Sequence, residues 1–277
     1  MGQRGAPKNM IGVYIVLFAL LIFAIFPVYW MLNTSFKSNA EIYRAIPSYW
    51  PSNFDFSGYV KLFKGDFVIQ LTNSFVISAL VSVGSLFVSV LAAFALSRLN
   101  FRFRNFFSRS ILYAYLIPKS VMYIPLYIFV SLLGLNNSIL GLGVIYPTFV
   151  IPYATWMLVA HMKSIPVEIE EAAIVDGSSR LGAMFRVVLP LAWPGIITTL
   201  IFSFTLCWSE YLYALVIITK EHSKTITLGL ASLIVEDVYP WGTLTAGAII
   251  ASIPVIILYF VGSRFMVSGA TDGSVKG

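Results

Sequence analysis

Residues 171–190 read EAAIVDGSSRLGAMFRVVLP, a polar island in an otherwise hydrophobic chain. Pro166, just upstream, suits the first turn of a helix, where a missing N–H costs nothing. Glu168, Glu170 and Glu171 then place negative charge in the first turns, where the helix dipole favours it. Gly177 is a natural stop, and Ser178 or Ser179 can cap a second helix. Leu181, Met184, Phe185 and Val188 fall at the i, i+3, i+4, i+7 spacing of one apolar face, before Pro190 interrupts it. The stretch therefore reads as two short helices around a glycine bend. Helices under about 12 residues are marginal alone in water, so the pair needs a surface to pack against.

The rest of the chain says where that surface lies. Of its 277 residues 58% are hydrophobic and only 11% charged, with a mean hydropathy of +0.86. Soluble domains carry about 25% charged residues, so this chain belongs in a bilayer. Six stretches are apolar enough to cross it as helices: residues 10–32, 71–96, 110–133, 139–160, 191–218 and 243–265. They form one membrane domain over residues 1–277, with the motif in a loop at 164–190 and a tail at 268–277. An even count puts both termini on one side. On that side fall Arg4, Lys8, Arg98, Arg102, Arg104, Arg109, Lys163, Arg180, Arg186, Arg264 and Lys276, whereas Lys37, Arg44, Lys61, Lys64, Lys220 and Lys224 fall on the other. The richer side is cytoplasmic by the positive-inside rule, so both termini and the motif are expected there.

The first span has a basic lead-in, but it is too long for the core of a signal peptide and ends in Pro27-Val28-Tyr29-Trp30, which suits a membrane interface. It reads as an anchor. A lone Cys207 excludes an internal disulfide, and with His161 and His222 it gives no metal framework. Longer loops at 33–70 and 219–242 are rich in interfacial aromatics. Ser85, Ser89, Ala93 and Ser97 recur every fourth residue in the second span, a seam along which helix backbones can approach. Pro118, Pro125, Pro147, Pro152 and Pro254 interrupt the third, fourth and sixth spans.

Catalytic signatures are missing. The sequence has no G-x-x-x-x-G-K-[ST] phosphate loop, no G-x-S-x-G elbow and no H-E-x-x-H pair, so any ATP hydrolysis belongs to another polypeptide. Two ionisable residues do lie inside spans. Lys119 sits about 15 Å along the third, near the midplane, where a charge is costly unless it faces a path, a partner or a carbonyl freed by the neighbouring proline. Glu210 sits roughly 28 Å along the fifth, so an ion pair with Lys119 needs tilted or bent helices to close an offset of about 13 Å. Trp208, Glu210 and Tyr211 together offer flat apolar faces and an acceptor, which suit a sugar, though an interfacial aromatic belt has the same composition. Lys119, Trp208, Glu210 and Tyr211 are the expected substrate-path residues.

The motif spacing is E-A-A, three residues, G, nine residues, then Val187-Val188-Leu189-Pro190. It resembles the EAA loop of binding-protein-dependent ABC importers, with Val187 where that pattern has isoleucine. With the six spans and the C-terminal run Gly269 to Gly277, the whole chain is similar to carbohydrate-uptake ABC permeases of the maltose (MalG) type. The resemblance implies an all-α, polytopic type I importer permease in a bacterial or archaeal plasma membrane. It implies a non-catalytic subunit without a cofactor of its own, partnered by a second, non-identical permease subunit and by two ATPase subunits that carry ATP and Mg. An extracytoplasmic solute-binding protein would deliver a sugar or related solute, and nucleic acid has no part. The loop would form coupling helices in a cleft of the ATPase, with Glu170, Glu171, Ala172, Ala173, Asp176, Gly177, Leu189 and Pro190 as coupling residues. The tail would reach the ATPase interface, and the loop at 219–242 would face the binding protein. Ser209 stands where such permeases often have asparagine, and in the maltose type the sugar is held mainly by the other permease subunit. Two alternatives remain open: an ion-coupled carrier using Lys119 and Glu210, and an ABC permease for a non-sugar solute.

Overall fold

Helices dominate the computed structural model, which describes residues 10–235 and 239–271. In chain order they are α1 (Met10–Ser35), α2 (Asn39–Ile42), α3 (Ser57–Lys64), α4 (Phe67–Arg98), α5 (Arg104–Leu116), α6 (Lys119–Leu132), α7 (Ile139–Ile145), α8 (Pro147–Ser164), α9 (Val167–Val175) and α10 (Arg180–Ala183). A π-helical turn, Met184–Val188, leads into α11 (Leu189–Trp208), followed by α12 (Leu212–Ile217), α13 (Ile226–Ala231) and α14 (Trp241–Thr271). The chain divides into two compact units, one built from residues up to Gly65 with Ser232–Ser252, the other from Asp66–Ala231 with residues from Ile253 onward.

In the first unit, the membrane-spanning stretch of α1 is apolar on every side and none of it is buried within the chain. A helix of that kind needs lipid or another protein around it. The loop after it is organised by a buried carboxylate. Glu41 Oε1 accepts from Ser48 Oγ (2.7 Å), Ser52 N (2.9 Å) and Ser52 Oγ (3.1 Å). Lys37 donates to the Ser48 carbonyl and sits 5.0 Å over the Trp30 ring. Gly58 in α3 lies against the start of α14, where a Cβ would come within 2.9 Å of the Gly242 carbonyl oxygen. The Ser48 hydroxyl, the Ser52 amide and the Lys37 charge hold the Glu41 carboxyl below the usual carboxylate range. A carboxyl depressed on folding adds stability at neutral pH that is lost as pH falls through its folded value. The loop at 38–52 is therefore expected to gain protease sensitivity below about pH 4, and Glu41→Ala to show it already at neutral pH. Limited proteolysis across that range reads both; a Glu41→Ala loop as resistant as the wild type would refute the assignment.

The second unit is built around α4. Ser74, Ser78, Ser82, Ser85, Ser89 and Ala93 are all buried and Ser97 is half-buried, so the small-residue seam loosens at its last expected position and extends instead toward the start of α4. It lets α8 and α11 approach α4, and Ser89 Oγ bonds the Ile151 carbonyl of α8 at 3.3 Å. Lipid is as apolar as a leucine side chain, so such close packing and interhelical bonds, rather than hydrophobicity, hold spanning helices together. Two buried clusters result. One joins Ile77, Val81, Leu142, Tyr146, Cys207 and Tyr213; the other joins Phe94, Leu158, Met162, Met184, Val188 and Ile196.

Three features depart from the expectation of simple spans. Residues 110–133 are not one kinked helix: α5 and α6 meet at 97° across Ile117 and Pro118. Proline lacks the N–H to continue a helix and pushes its predecessor out of the α region, and both residues are extended. The fifth span breaks at Ser209–Tyr211 before resuming as α12. Pro190 does not interrupt the second motif helix; α10, the π turn and α11 run on as one apolar span, Arg180–Trp208. The wider π turn leaves room for a residue that cannot donate its N–H and would crowd the preceding carbonyls.

Candidate functional site

The motif folds as two short helices around a glycine. α9 ends at Asp176, and Gly177 takes φ +91°, a left-handed conformation that a side chain would strain. Ser179 caps α10, its Oγ accepting from Gly182 N at 3.1 Å. The apolar stripe divides. Met184 and Val188 face inward into the cluster with Phe94 and Met162, whereas Leu181 and Phe185 are 64% and 59% exposed and Val175 85% exposed. Glu171, Ala172, Asp176 and Pro190 are exposed beside them, and Ala173 and Leu189 are half-buried. The loop thus presents an apolar knob with a carboxylate at its edge.

Glu170 differs from its neighbour. It is buried, and its Oε2 lies 3.3 Å from Arg98 Nε at the end of α4. Arg98 Nη2 also donates to the carbonyls of Met162 and Ile165 at 2.8 Å each, bonding the end of α8. One guanidinium therefore ties α4, the end of α8 and the motif helix. On sequence Arg98 is only one of the charges that set topology; the structure puts it at the centre of this joint.

At the break between α5 and α6 lies a second constellation. Phe149, Tyr153 and Trp156 follow one another at i, i+4 and i+7 on α8, making an aromatic wall. Lys119 Nζ sits 4.2 Å over the Phe149 ring, and Tyr115 stacks on Trp156 at 5.9 Å with 10° between the planes. Tyr213 stacks on Phe149 (5.9 Å, 3°), meets the Tyr123 ring edge-on (4.6 Å), and donates its hydroxyl to the Lys119 carbonyl at 3.3 Å. Lys119, Tyr115 and Trp156 are exposed. The repeat of aromatics in span four was the available signal for this wall.

Glu210 and Trp208 have other surroundings than a solute site would give them. Trp208 is 6% exposed and stacked on Phe204 at 5.5 Å; Tyr211 packs against the core. Glu210 fills the gap between α11 and α12. Its carboxylate accepts from the amides of Tyr213 (3.0 and 3.1 Å) and Ala214 (3.3 Å) and from the Tyr146 hydroxyl (3.4 Å). No ion pair joins Lys119 to a carboxylate among the described residues. Counting along straight helices nonetheless exaggerated their separation: Tyr213, held by Glu210, reaches the Lys119 backbone because both spans break at these residues. Of the loop expected to face a binding protein, Glu236 and Asp237 lie outside the described residues, as do residues 272–277 of the tail.

Comparison with known proteins agrees with this geometry. Residues 85–268 match the family described as "Binding-protein-dependent transport system inner membrane component". The chain is 35% identical over 280 residues to the inner membrane ABC transporter permease protein YcjP of Escherichia coli (strain K12), covering 100% of both. It is 34% identical to the diacetylchitobiose uptake system permease protein DasC of Streptomyces coelicolor, covering 93% of this chain and 94% of that one. A crystal structure of a bacterial ABC transporter involved in import of the acidic polysaccharide alginate has a chain of the same fold, with TM-score 0.75 and 24% identity over 96% of this chain and 99% of that one. A multi-pass helical chain with this motif loop and these relatives belongs to the binding-protein-dependent transport system inner membrane components, the permeases of ABC transporters.

Proposed function

We propose that this chain forms half of the translocation path of an ATP-driven importer for a carbohydrate, in complex with a second, non-identical permease subunit, two separate ATPase subunits and an extracytoplasmic solute-binding protein. The aromatic wall of Phe149, Tyr153 and Trp156 carries the substrate reading. Flat rings along one helix face accept the apolar faces of a pyranose, and Trp156 stands exposed beside Tyr115. A relative that takes up diacetylchitobiose supports the same class. Lys119 lines this path. Trp208, Glu210 and Tyr211 support it from behind, a narrower role than solute contact.

The motif loop faces the cytoplasm in this reading, as do both termini, in line with the excess of Lys and Arg on that side. Its exposed Val175, Leu181 and Phe185 dock into the ATPase, with Glu171 at the rim. ATP-driven closure of the ATPase pair moves the two motif loops together, and the continuous helix from Arg180 to Trp208 carries that movement into the membrane. ATP and Mg act in the ATPase, and this chain needs no cofactor. Charge reversal, Glu171→Lys, is expected to cut solute uptake about tenfold or more while the subunits still assemble, because a like-for-opposite change at an interface costs a few kcal/mol. Uptake in membrane vesicles and co-purification of the subunits are the readouts, and normal uptake by the variant would sink the assignment. A sugar eluted from the co-purified binding protein tests the substrate class.

A further inference from the structure

The geometry points to Lys119 as a selectivity residue: we propose that its ammonium favours anionic carbohydrates, those carrying a carboxylate, in the translocation path. The inference rests on the carbohydrate reading above and adds a charge requirement to it. Lys119 is exposed, opens α6 at the break of the third span, and projects its Nζ 4.2 Å over the Phe149 face. The carboxylate that feels its charge, Glu210, is only 7% exposed and is committed to backbone amides and the Tyr146 hydroxyl. A solute at the wall therefore meets the cation and not its counter-charge. A lysine facing lipid at mid-membrane is costly, so an exposed ammonium on a spanning segment belongs against water or a partner. The first turn of α6 adds the positive end of a 14-residue helix on the same side. A sugar ring against the wall, with its carboxylate toward Nζ, would use both the flat apolar faces and the charge.

The test uses the full complex, with ATPase, second permease subunit and binding protein, reconstituted in proteoliposomes. Two matched pairs of labelled disaccharides are offered: digalacturonate with galactobiose, and dimannuronate with mannobiose. The wild-type complex is expected to accumulate a uronate disaccharide. Lys119→Gln lowers the ratio of uronate to neutral uptake roughly tenfold or more, the worth of one hydrogen bond to a charged group, whatever it does to the neutral sugar's own rate. Lys119→Arg keeps the charge and restores uronate uptake. Because the binding protein is identical in every sample, a change in the uronate-to-neutral ratio belongs to Lys119. An unchanged ratio in Lys119→Gln overturns the proposal. So does failure of both variants to assemble with the second permease subunit, which makes Lys119 an interface residue. Wild-type transport of the neutral sugars alone overturns the proposal and leaves the carbohydrate reading standing; transport of neither pair likewise overturns the proposal, and the carbohydrate reading is then decided by whether a sugar elutes from the binding protein.

Discussion

Arg98→Ala is expected to cost about 3–5 kcal/mol of stability and most of the uptake activity, the penalty of breaking a buried ion pair from one side. The variant leaves the Glu170 carboxylate buried without its counter-charge and removes the guanidinium hydrogen bonds to the Met162 and Ile165 carbonyls beside it. Glu170→Ala is milder, because the guanidinium keeps both carbonyl bonds. The double variant is expected to recover part of the loss of Arg98→Ala, since the stranded carboxylate is gone. Thermal unfolding of the purified complex and vesicle uptake, taken through all four corners of the cycle, give the coupling. Strictly additive effects would mean that the two side chains do not act together. The functional reach follows from position. This guanidinium fixes the motif helix to α4 and α8, so a push on the exposed face of the loop reaches the spanning helices through a stiff joint.

The sequence carried the motif loop because spacing alone defines it: a glycine with a left-handed φ, a serine cap and acidic first turns each leave a local mark. The spans were legible from hydropathy for the same reason. Their breaks were not. Pro125, Pro152 and Pro254 all sit inside continuous helices, while Pro118 ends one, and the residue type is the same in each case. What differs is tertiary support for freed carbonyls, which no local pattern encodes. Nor could spacing tell Glu170 from Glu171. Adjacent positions on a helix lie about 100° apart, and the one turned inward is decided by Arg98, 72 positions earlier in the chain. Pro190 misled for a related reason, since a π turn can absorb a proline that an α-helix would reject.

Glu210→Ala is expected to destabilise the complex by roughly 2–4 kcal/mol, the loss of a helix cap together with buried amides left without an acceptor. The carboxylate holds the first turn of α12 to the end of α11, and the Thr227 hydroxyl donates to the Glu210 carbonyl at 2.7 Å, so the same residue also ties down α13. Glu210→Gln separates this role from a proton or ion relay. With its amide oxygen at the Oε2 position it still accepts from Tyr213, Ala214 and the Tyr146 hydroxyl, and only the second Tyr213 contact, at Oε1, is given up. A cap therefore tolerates glutamine, and uptake by Glu210→Gln should stay within a few-fold of the wild type while Glu210→Ala falls well below it. A relay needs the titrating carboxyl and would lose transport equally in both variants. Uptake measured with and without ATP in vesicles decides between them: ATP-dependent transport that survives in the glutamine variant fits a capping carboxylate, and ATP-independent transport abolished by it would restore the ion-coupled carrier.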